Sequence, residues 1–140
     1  MSSKILQAAA VAALCAACQS QGNAQADGST DRPFAIADVG KFSTPWAMAF
    51  LPGSGVPLTS MALLTEREGK LWLVDVTNGK RTAVSGVPEV VVAGQGGLGD
   101  VMPHPDFAGN ARVYLSFVEA GPGGSGAALG YGTLDLTNAD

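Results

Sequence analysis

Apolar residues in this chain are grouped in short runs that are separated by turn residues. Short runs of this kind, bounded by turn residues, are typical of β-strands, and at residues 46–50 large and small side chains alternate. Four such runs lie close together, at residues 46–50, 60–65, 71–76 and 81–84. Three more follow, at residues 100–102, 112–118 and 128–136. No segment after the first 26 residues has helical periodicity, so the pattern predicts an all-β protein.

The segments between these runs carry the residues that tight turns require. Asn78-Gly79 separates the third run from the fourth and predicts a type I′ turn, which needs positive φ at both central residues. Residues 66–69 predict the preceding turn, and Gly121 to Gly126 predict a loop between the last two runs. Four consecutive antiparallel strands with tight turns form one blade of a β-propeller. The chain is therefore predicted to contain one blade and most of a second.

One or two blades do not close a propeller. A blade needs neighbours on both sides to bury its faces, and propellers have about four to eight blades. We therefore expect this chain to be the N-terminal part of a larger protein. The alternative architecture is a complete small β-sandwich, because seven short strands fit that fold as well.

The first 26 residues have the three parts of a secretory signal peptide. Met1–Lys4 is positively charged, Ile5–Cys18 is apolar, and the polar stretch after it ends in Ala24-Gln25-Ala26. The apolar run has 14 residues, whereas a bilayer-spanning helix needs about 20. No other segment approaches that length, so no transmembrane segment is expected. Ala16-Ala17-Cys18 also resembles a lipobox, which leaves acylation at Cys18 as the alternative to cleavage after Ala26.

The leader sets the expected location and domain boundaries. We predict a signal peptide at residues 1–26, a polar tether at 27–40 and a partial propeller at 41–140. Either cleavage or acylation places the protein beyond a bacterial inner membrane, in the periplasm or as an outer-membrane lipoprotein. Both cysteines, Cys15 and Cys18, belong to the leader. Their Cys-x-x-Cys spacing is therefore not read as a redox or metal motif, because no βαβ pattern follows it.

Charge and composition exclude one class of partner. The formal net charge is −4, with eight basic residues of which only Lys80 and Arg81 are adjacent. A nucleic-acid-binding domain needs clustered lysine and arginine, so we expect none here. Charged residues make up 14% of the chain, against about 25% in an average globular protein.

The stretch from Gly94 to Gly99 matches the dinucleotide-binding pattern G-x-G-x-x-G. That motif works only where a helix begins on its glycines and places its N-terminus at the pyrophosphate. Pro103 and Pro105 stand where the second turn of such a helix would be, and an interior proline costs about 3 kcal/mol. The dinucleotide interpretation is therefore rejected.

Six short motifs in a fixed order resemble those of one known family. They are Pro45–Pro52, Leu64–Arg67 with Gly69–Leu71, Gly86–Pro88, Gly94–Leu98, His104–Phe107 and Val113–Ser116. This arrangement is similar to the soluble, pyrroloquinoline-quinone (PQQ)-dependent aldose sugar dehydrogenases, also called the glucose/sorbosone dehydrogenase family. The resemblance covers residues 40 to 135, and its specificity comes from the order and spacing of the motifs.

The resemblance implies a periplasmic six-bladed β-propeller that binds PQQ near a Ca²⁺ ion. Such an enzyme oxidises the C1 hydroxyl of aldoses to a lactone and passes electrons to an acceptor other than oxygen, with a histidine as general base. It also implies that Gln95 binds cofactor and substrate, since its amide both donates and accepts hydrogen bonds. The family's catalytic histidine, the cations that hold the cofactor and the Ca²⁺ ligands are expected beyond Asp140. No catalytic or metal-binding residue is therefore assigned in this chain.

The remaining conspicuous residues are interpreted as structural. His104 is the single histidine, and its place in the family pattern is where the chain enters the second blade. Arg67, with Glu66, is expected at a turn, in structural pairing rather than catalysis. Trp46 and Trp72 are expected to pack within the blades rather than to stack on a sugar.

Two residues depart from the family pattern. Gly99 stands where the family usually has an apolar residue, and Pro103 replaces a residue that would donate a hydrogen bond into the sheet. Both changes are expected to loosen the beginning of the second blade.

Two other functions compete with the enzyme: a non-catalytic periplasmic β-domain that binds sugar or a protein partner, and a non-functional fragment of the enzyme. Sequence beyond Asp140 with a histidine in a later blade would favour the enzyme.

We predict that residues 1–140 alone have no dehydrogenase activity, because the general base and most cofactor ligands are expected outside them. The measurement is dye reduction with glucose after addition of PQQ and Ca²⁺. Turnover by the isolated chain would contradict the prediction.

Overall fold

The computed structural model describes residues 33–53 and 60–137. The predicted signal peptide and the alternative acylation site lie outside the described residues, as does the first part of the predicted tether. The chain divides into two units, residues 1–36 and 37–140. The β-structure belongs to the second unit.

Seven β-strands in the described residues form two antiparallel sheets, as predicted. The first sheet contains β1 (Pro45–Phe50), β2 (Met61–Glu66), β3 (Lys70–Asp75) and β4 (Arg81–Val84). The second contains β5 (Leu98–Pro103), β6 (Arg112–Gly121) and β7 (Gly124–Thr133). Strands are hydrogen-bonded in chain order within each sheet. This arrangement is that of consecutive propeller blades, since the strands of a β-sandwich change sheets through Greek-key connections.

One helical turn that the pattern did not predict lies between β5 and β6. This turn, α1, covers Phe107–Asn110, and Phe107 is its buried residue. It ends at Ala111, which has φ of 49° and donates its N–H to the carbonyl of Phe107 at 2.7 Å. Four residues are too few to show a 3.6-residue period, so the sequence pattern could not reveal it.

The two sheets share one hydrophobic core. Side chains from both sheets are buried in it, including Leu63 and Leu73 from the first and Leu98, Val101 and Val113 from the second. Strand β2 is buried along almost its whole length. The core therefore lies between two blades rather than inside one, as expected where each blade is too thin to enclose its own apolar surface.

The first strand of each sheet carries a β-bulge that a hydroxyl group from the next strand closes. In β1 the register shifts between Pro45 and Ala47, and Ala47 donates its N–H to Thr65 Oγ1 at 3.0 Å. In β5 the register shifts after Leu98, and Asp100 donates its N–H to Ser116 Oγ at 2.8 Å. A bulge leaves backbone groups outside the ladder, and these hydroxyls satisfy one donor in each.

Thr65 also connects the two sheets. Its hydroxyl donates to the carbonyl oxygen of Gly99 at 2.8 Å while accepting the N–H of Ala47. The residue is 0% exposed. One buried hydroxyl therefore joins the bulge of the first blade to the bulge of the second.

The predicted hairpin at Asn78-Gly79 forms, but the predicted type I′ turn is wrong. Gly79 has φ of 75°, whereas Asn78 is not among the described residues with positive φ. The Asp75 carboxylate accepts hydrogen bonds from the backbone and hydroxyl of Thr77 and from the amide of Asn78. These bonds, those of Thr77 foremost, lower the pKa of Asp75. The Asp75 side chain thus stabilises the loop of residues 76–80, which is longer than the predicted two-residue turn.

The predicted loop from Gly121 to Gly126 is also shorter than expected. Strand β6 continues to Gly121 and β7 begins at Gly124, so that Pro122 and Gly123 alone form the turn. Glycine is depleted in strands, which is why the sequence pattern ended β6 too early and began β7 too late. Backbone pairing across the hairpin overrides that preference.

Both departures from the family pattern are accommodated in the second sheet. A Cβ on Gly99 would lie 2.6 Å from Ser116 Oγ, so glycine leaves room for the hydroxyl that closes the bulge. Pro103 ends β5 opposite Val113, and His104 donates its N–H to the carbonyl of Arg112 at 2.9 Å. Hydrogen-bonded pairs alternate in an antiparallel ladder, so the Pro103 nitrogen faces away from β6. The hydrogen bonds of β5 therefore do not support the expected loosening at the beginning of the second blade.

We predict that Thr65→Val destabilises the protein by about 1 to 3 kcal/mol, because it leaves the Ala47 N–H and the Gly99 carbonyl buried without a partner. Thr65→Ser is the control, since it keeps the hydroxyl and loses one methyl, at about 1 kcal/mol. Urea denaturation of both variants measures the difference. Equal stability of the two would show that the hydroxyl bridge is unimportant.

Candidate functional site

The glycine-rich loop, residues 93–97, lies between β4 and β5 and presents Gln95. Gly96 donates its N–H to the carbonyl of Ala93 at 2.8 Å, which closes a β-turn with Gly94 and Gln95 at its centre. Gly94 has φ of 56°. The loop is fastened to β6, because Val118 donates its N–H to the carbonyl of Gly97 at 3.0 Å. Its two ends are therefore fixed and its tip is exposed.

Glycine is required in this loop mainly for packing against the chain itself. A Cβ on Gly96 would lie 2.7 Å from the carbonyl oxygen of Val91. A Cβ on Gly97, which has φ of 132°, would lie 2.3 Å from the carbonyl oxygen of Arg67. Gly94 faces open space. Because β5 begins at Leu98 directly after these glycines, no helix starts on them, and rejection of the dinucleotide interpretation is confirmed.

Gln95 is exposed, and its amide makes no hydrogen bond within residues 33–53 and 60–137. A primary amide offers two donors and an acceptor. Such a group on a fixed backbone can bind a carbonyl or a hydroxyl of a ligand without first breaking an internal bond. This geometry suits the family role that the resemblance implies for Gln95.

Arg67 contacts the glycine-rich loop from the turn between β2 and β3. Its Nε donates to the carbonyl oxygen of Gly96 at 2.9 Å, and its own carbonyl accepts the N–H of Leu98 at 2.9 Å. The structural role expected for Arg67 is supported, but its partner is a loop carbonyl rather than Glu66. Sequence reasoning missed this contact because the bonded residues are 29 positions apart.

Glu66 is buried and fixes the segment before β1. Its carboxylate accepts the N–H of Ser43 at 2.6 Å. Burial raises the pKa of Glu66, but the Ser43 hydrogen bond, the nearby Trp72 indole and the charges of Lys70 and Arg81 together hold it below its ordinary value. The Trp72 Nε1 makes no hydrogen bond of normal geometry among the described residues. The carboxylate is therefore ionised and structural.

His104 belongs to a local turn network. Its Nδ1 accepts the N–H of Asp106 at 2.9 Å and lies 2.9 Å from the side-chain nitrogen of Asn110. Its ring stacks on Tyr114 with centroids 6.0 Å apart. These contacts support the structural interpretation of His104.

The two tryptophans differ in their surroundings. Trp72 is half-buried, and the Arg81 guanidinium lies over its ring at 4.8 Å. Trp46 is 51% exposed and lies at the bulge of β1. The packing role expected of Trp72 is supported, whereas nothing in the described part of the chain covers Trp46.

No group of three histidine, cysteine, aspartate or glutamate side chains that could hold a metal ion occurs among the described residues. Within those same residues no helix is long and apolar enough to cross a membrane.

The fold and the loop define a class of protein: a β-propeller whose second blade is preceded by a glycine-rich loop with a glutamine whose amide has no partner among the described residues. The family model "Glucose / Sorbosone dehydrogenase" matches residues 42–140. The chain belongs to this family.

Relatives with curated names or solved structures agree with this assignment. The chain is 44% identical over 95 residues to "Aldose sugar dehydrogenase YliI" of Escherichia coli (strain K12), which covers 67% of this chain and 24% of the relative. The solved apo-form of the soluble aldose sugar dehydrogenase from Escherichia coli is 42% identical, with a TM-score of 0.59 over 69% of this chain and 26% of that one. The chain thus spans about a quarter of these relatives' length.

A ligand-bound relative also matches. The PQQ-bound form of the aldose sugar dehydrogenase from Streptomyces coelicolor is 28% identical to this chain. Its TM-score is 0.59, over 71% of this chain and 27% of the other.

We predict that Gly97→Ala destabilises the protein by about 1 to 3 kcal/mol more than Gly94→Ala, because only the former drives a Cβ into a backbone carbonyl. Gly94 has φ of 56°, in the left-handed region that alanine can adopt, whereas Gly97 has φ of 132°, which is nearly restricted to glycine, so backbone strain adds to the difference. Thermal denaturation of the two variants measures the difference. Equal melting temperatures would show that the loop does not pack on Arg67 as described.

Proposed function

We propose that this protein is a PQQ-dependent sugar dehydrogenase that oxidises the C1 hydroxyl of an aldose to a lactone, with this chain contributing its first two blades. The observation that carries the proposal is the amide of Gln95, which is exposed on the fixed glycine-rich loop and has no partner in residues 33–53 and 60–137. Family membership and the PQQ-bound relative support the cofactor.

The residues present fit part of the implied cofactor site. When bound, PQQ supplies a quinone that accepts two electrons from the sugar. The Gln95 amide would donate to a quinone carbonyl or accept from a sugar hydroxyl, and either contact would orient its partner. Orientation requires a fixed backbone, which the Gly96 and Val118 hydrogen bonds supply. Proton removal is assigned to a histidine outside this chain, because His104 is bonded within its own turn.

Further parts of the proposal rest on the family resemblance and the leader sequence. They are a Ca²⁺ ion near the cofactor, an electron acceptor other than oxygen, and a periplasmic location reached through the signal peptide or a lipid anchor at Cys18. Loading the apo-protein with PQQ in the presence and absence of Ca²⁺ tests the metal requirement.

We predict that Gln95→Ala lowers kcat/KM for glucose about tenfold, the effect of losing one hydrogen bond to cofactor or substrate. The assay uses the full-length protein loaded with PQQ and Ca²⁺, with a dye as electron acceptor. Asn78→Ala is the matched control, since it removes an exposed amide from the loop between β3 and β4 and is expected to leave the rate unchanged.

Two results would contradict the proposal. Unchanged kinetics of Gln95→Ala would remove Gln95 from the site. Sugar binding without any cofactor-dependent turnover by the unsubstituted protein would instead favour a non-catalytic sugar-binding domain.

A further inference from the structure

Arg67 holds the glycine-rich loop from the neighbouring blade. Its Nε donates to the carbonyl of Gly96 at 2.9 Å, the one hydrogen bond that a side chain donates to this loop within the described residues. A guanidinium donor forms a stronger bond to an oxygen than a neutral donor does. Gly97 packs so closely that a Cβ there would lie 2.7 Å from Arg67 Cγ. The side chain thus fixes the loop both by bonding and by contact.

Arg67 is itself firmly placed. Its backbone N–H donates to the carbonyl of Thr44 at 3.0 Å, and its carbonyl accepts the N–H of Leu98. The turn that carries it is closed by the bond from the Gly69 N–H to the Glu66 carbonyl at 3.0 Å. The loop is therefore anchored to a rigid part of the first blade.

Gln95 depends on this anchor. Its own amide has no partner within residues 33–53 and 60–137, so only the loop backbone determines where it stands. The carbonyl that Arg67 binds belongs to Gly96, the next residue along the chain. Loss of the Arg67 bond would leave the carbonyl of the Gly96–Gly97 peptide, the second peptide after Gln95, without this donor, while the strands on either side stay paired.

We propose that Arg67 is a positioning residue for Gln95, acting through the Gly96 carbonyl rather than through contact with a ligand. The proposal rests on the proposed function, in which Gln95 binds cofactor or sugar. The competing possibility is that the positive charge of Arg67 binds an anionic ligand directly. Two substitutions separate them. Arg67→Gln places an amide nitrogen the same number of bonds from Cα as Nε and removes the charge, whereas Arg67→Met keeps the length without a donor.

The first experiment measures hydrogen–deuterium exchange of the full-length protein without cofactor. We expect Arg67→Met to raise the exchange rates of the Gly96 and Leu98 amides about tenfold or more, as local opening becomes easier. Arg67→Gln should restore slow exchange. The matched control is Arg81→Met, which removes a guanidinium that donates to the Lys41 carbonyl elsewhere on the same sheet. It should leave exchange in the loop unchanged.

The second experiment is a double-mutant cycle in the cofactor-loaded protein. If Arg67 acts through Gln95, Arg67→Met lowers kcat/KM of the wild type but causes no further loss in Gln95→Ala. Arg67→Gln should retain most activity. An equal loss in both backgrounds, or unchanged loop exchange in Arg67→Met, overturns the proposal. If the unsubstituted protein shows no PQQ-dependent turnover, the proposed function fails, and the exchange data still decide whether Arg67 holds the loop.

Discussion

The hydroxyl group of Thr65 is the interaction on which the arrangement of the two blades depends. It accepts the N–H of Ala47, which the bulge of β1 leaves outside the ladder, and donates to the carbonyl of Gly99 at the bulge of β5. A buried N–H or carbonyl without a partner costs about 1 to 3 kcal/mol. Because contact between β1 and β5 would bury two such groups, apolar burial alone would not favour it. Because the hydroxyl satisfies both groups, β1 and β5 can meet at their irregular positions while the core closes beside them.

The glycine-rich loop follows from the same junction. It enters β5 at Leu98, whose N–H is bonded to the carbonyl of Arg67, two residues after Thr65. The turn after β2 therefore touches both the loop and the strand that the loop begins. Gln95 stands at an exposed tip while the backbone below it is held in this way. The position of Gln95 is thus a property of the junction between the two sheets rather than of either sheet alone.

Secondary structure was predicted well where residues have a strong local conformational preference. Short apolar runs bounded by turn residues marked all seven strands. The prediction of turn type from the sequence was wrong where one side chain determines which of two similar turns forms. Asp75 selects the loop around Asn78, and pairing of β6 with β7 extends both strands into a glycine-rich segment. Gln95 was predicted through the order of family motifs, whereas no local signal pointed to the contact of Arg67 with the glycine-rich loop.

By itself, the sequence determined the all-β class, the division into blades and the family, because these follow from short apolar runs, glycine placement and motif order. Only the tertiary structure decided that Gly96 and Gly97 are needed for packing, that Pro103 removes no ladder bond, and that Thr65 and Arg67 join the blades. The physical reason is that these effects depend on contacts between residues that are distant along the chain. Such contacts exist only after the two sheets have packed together.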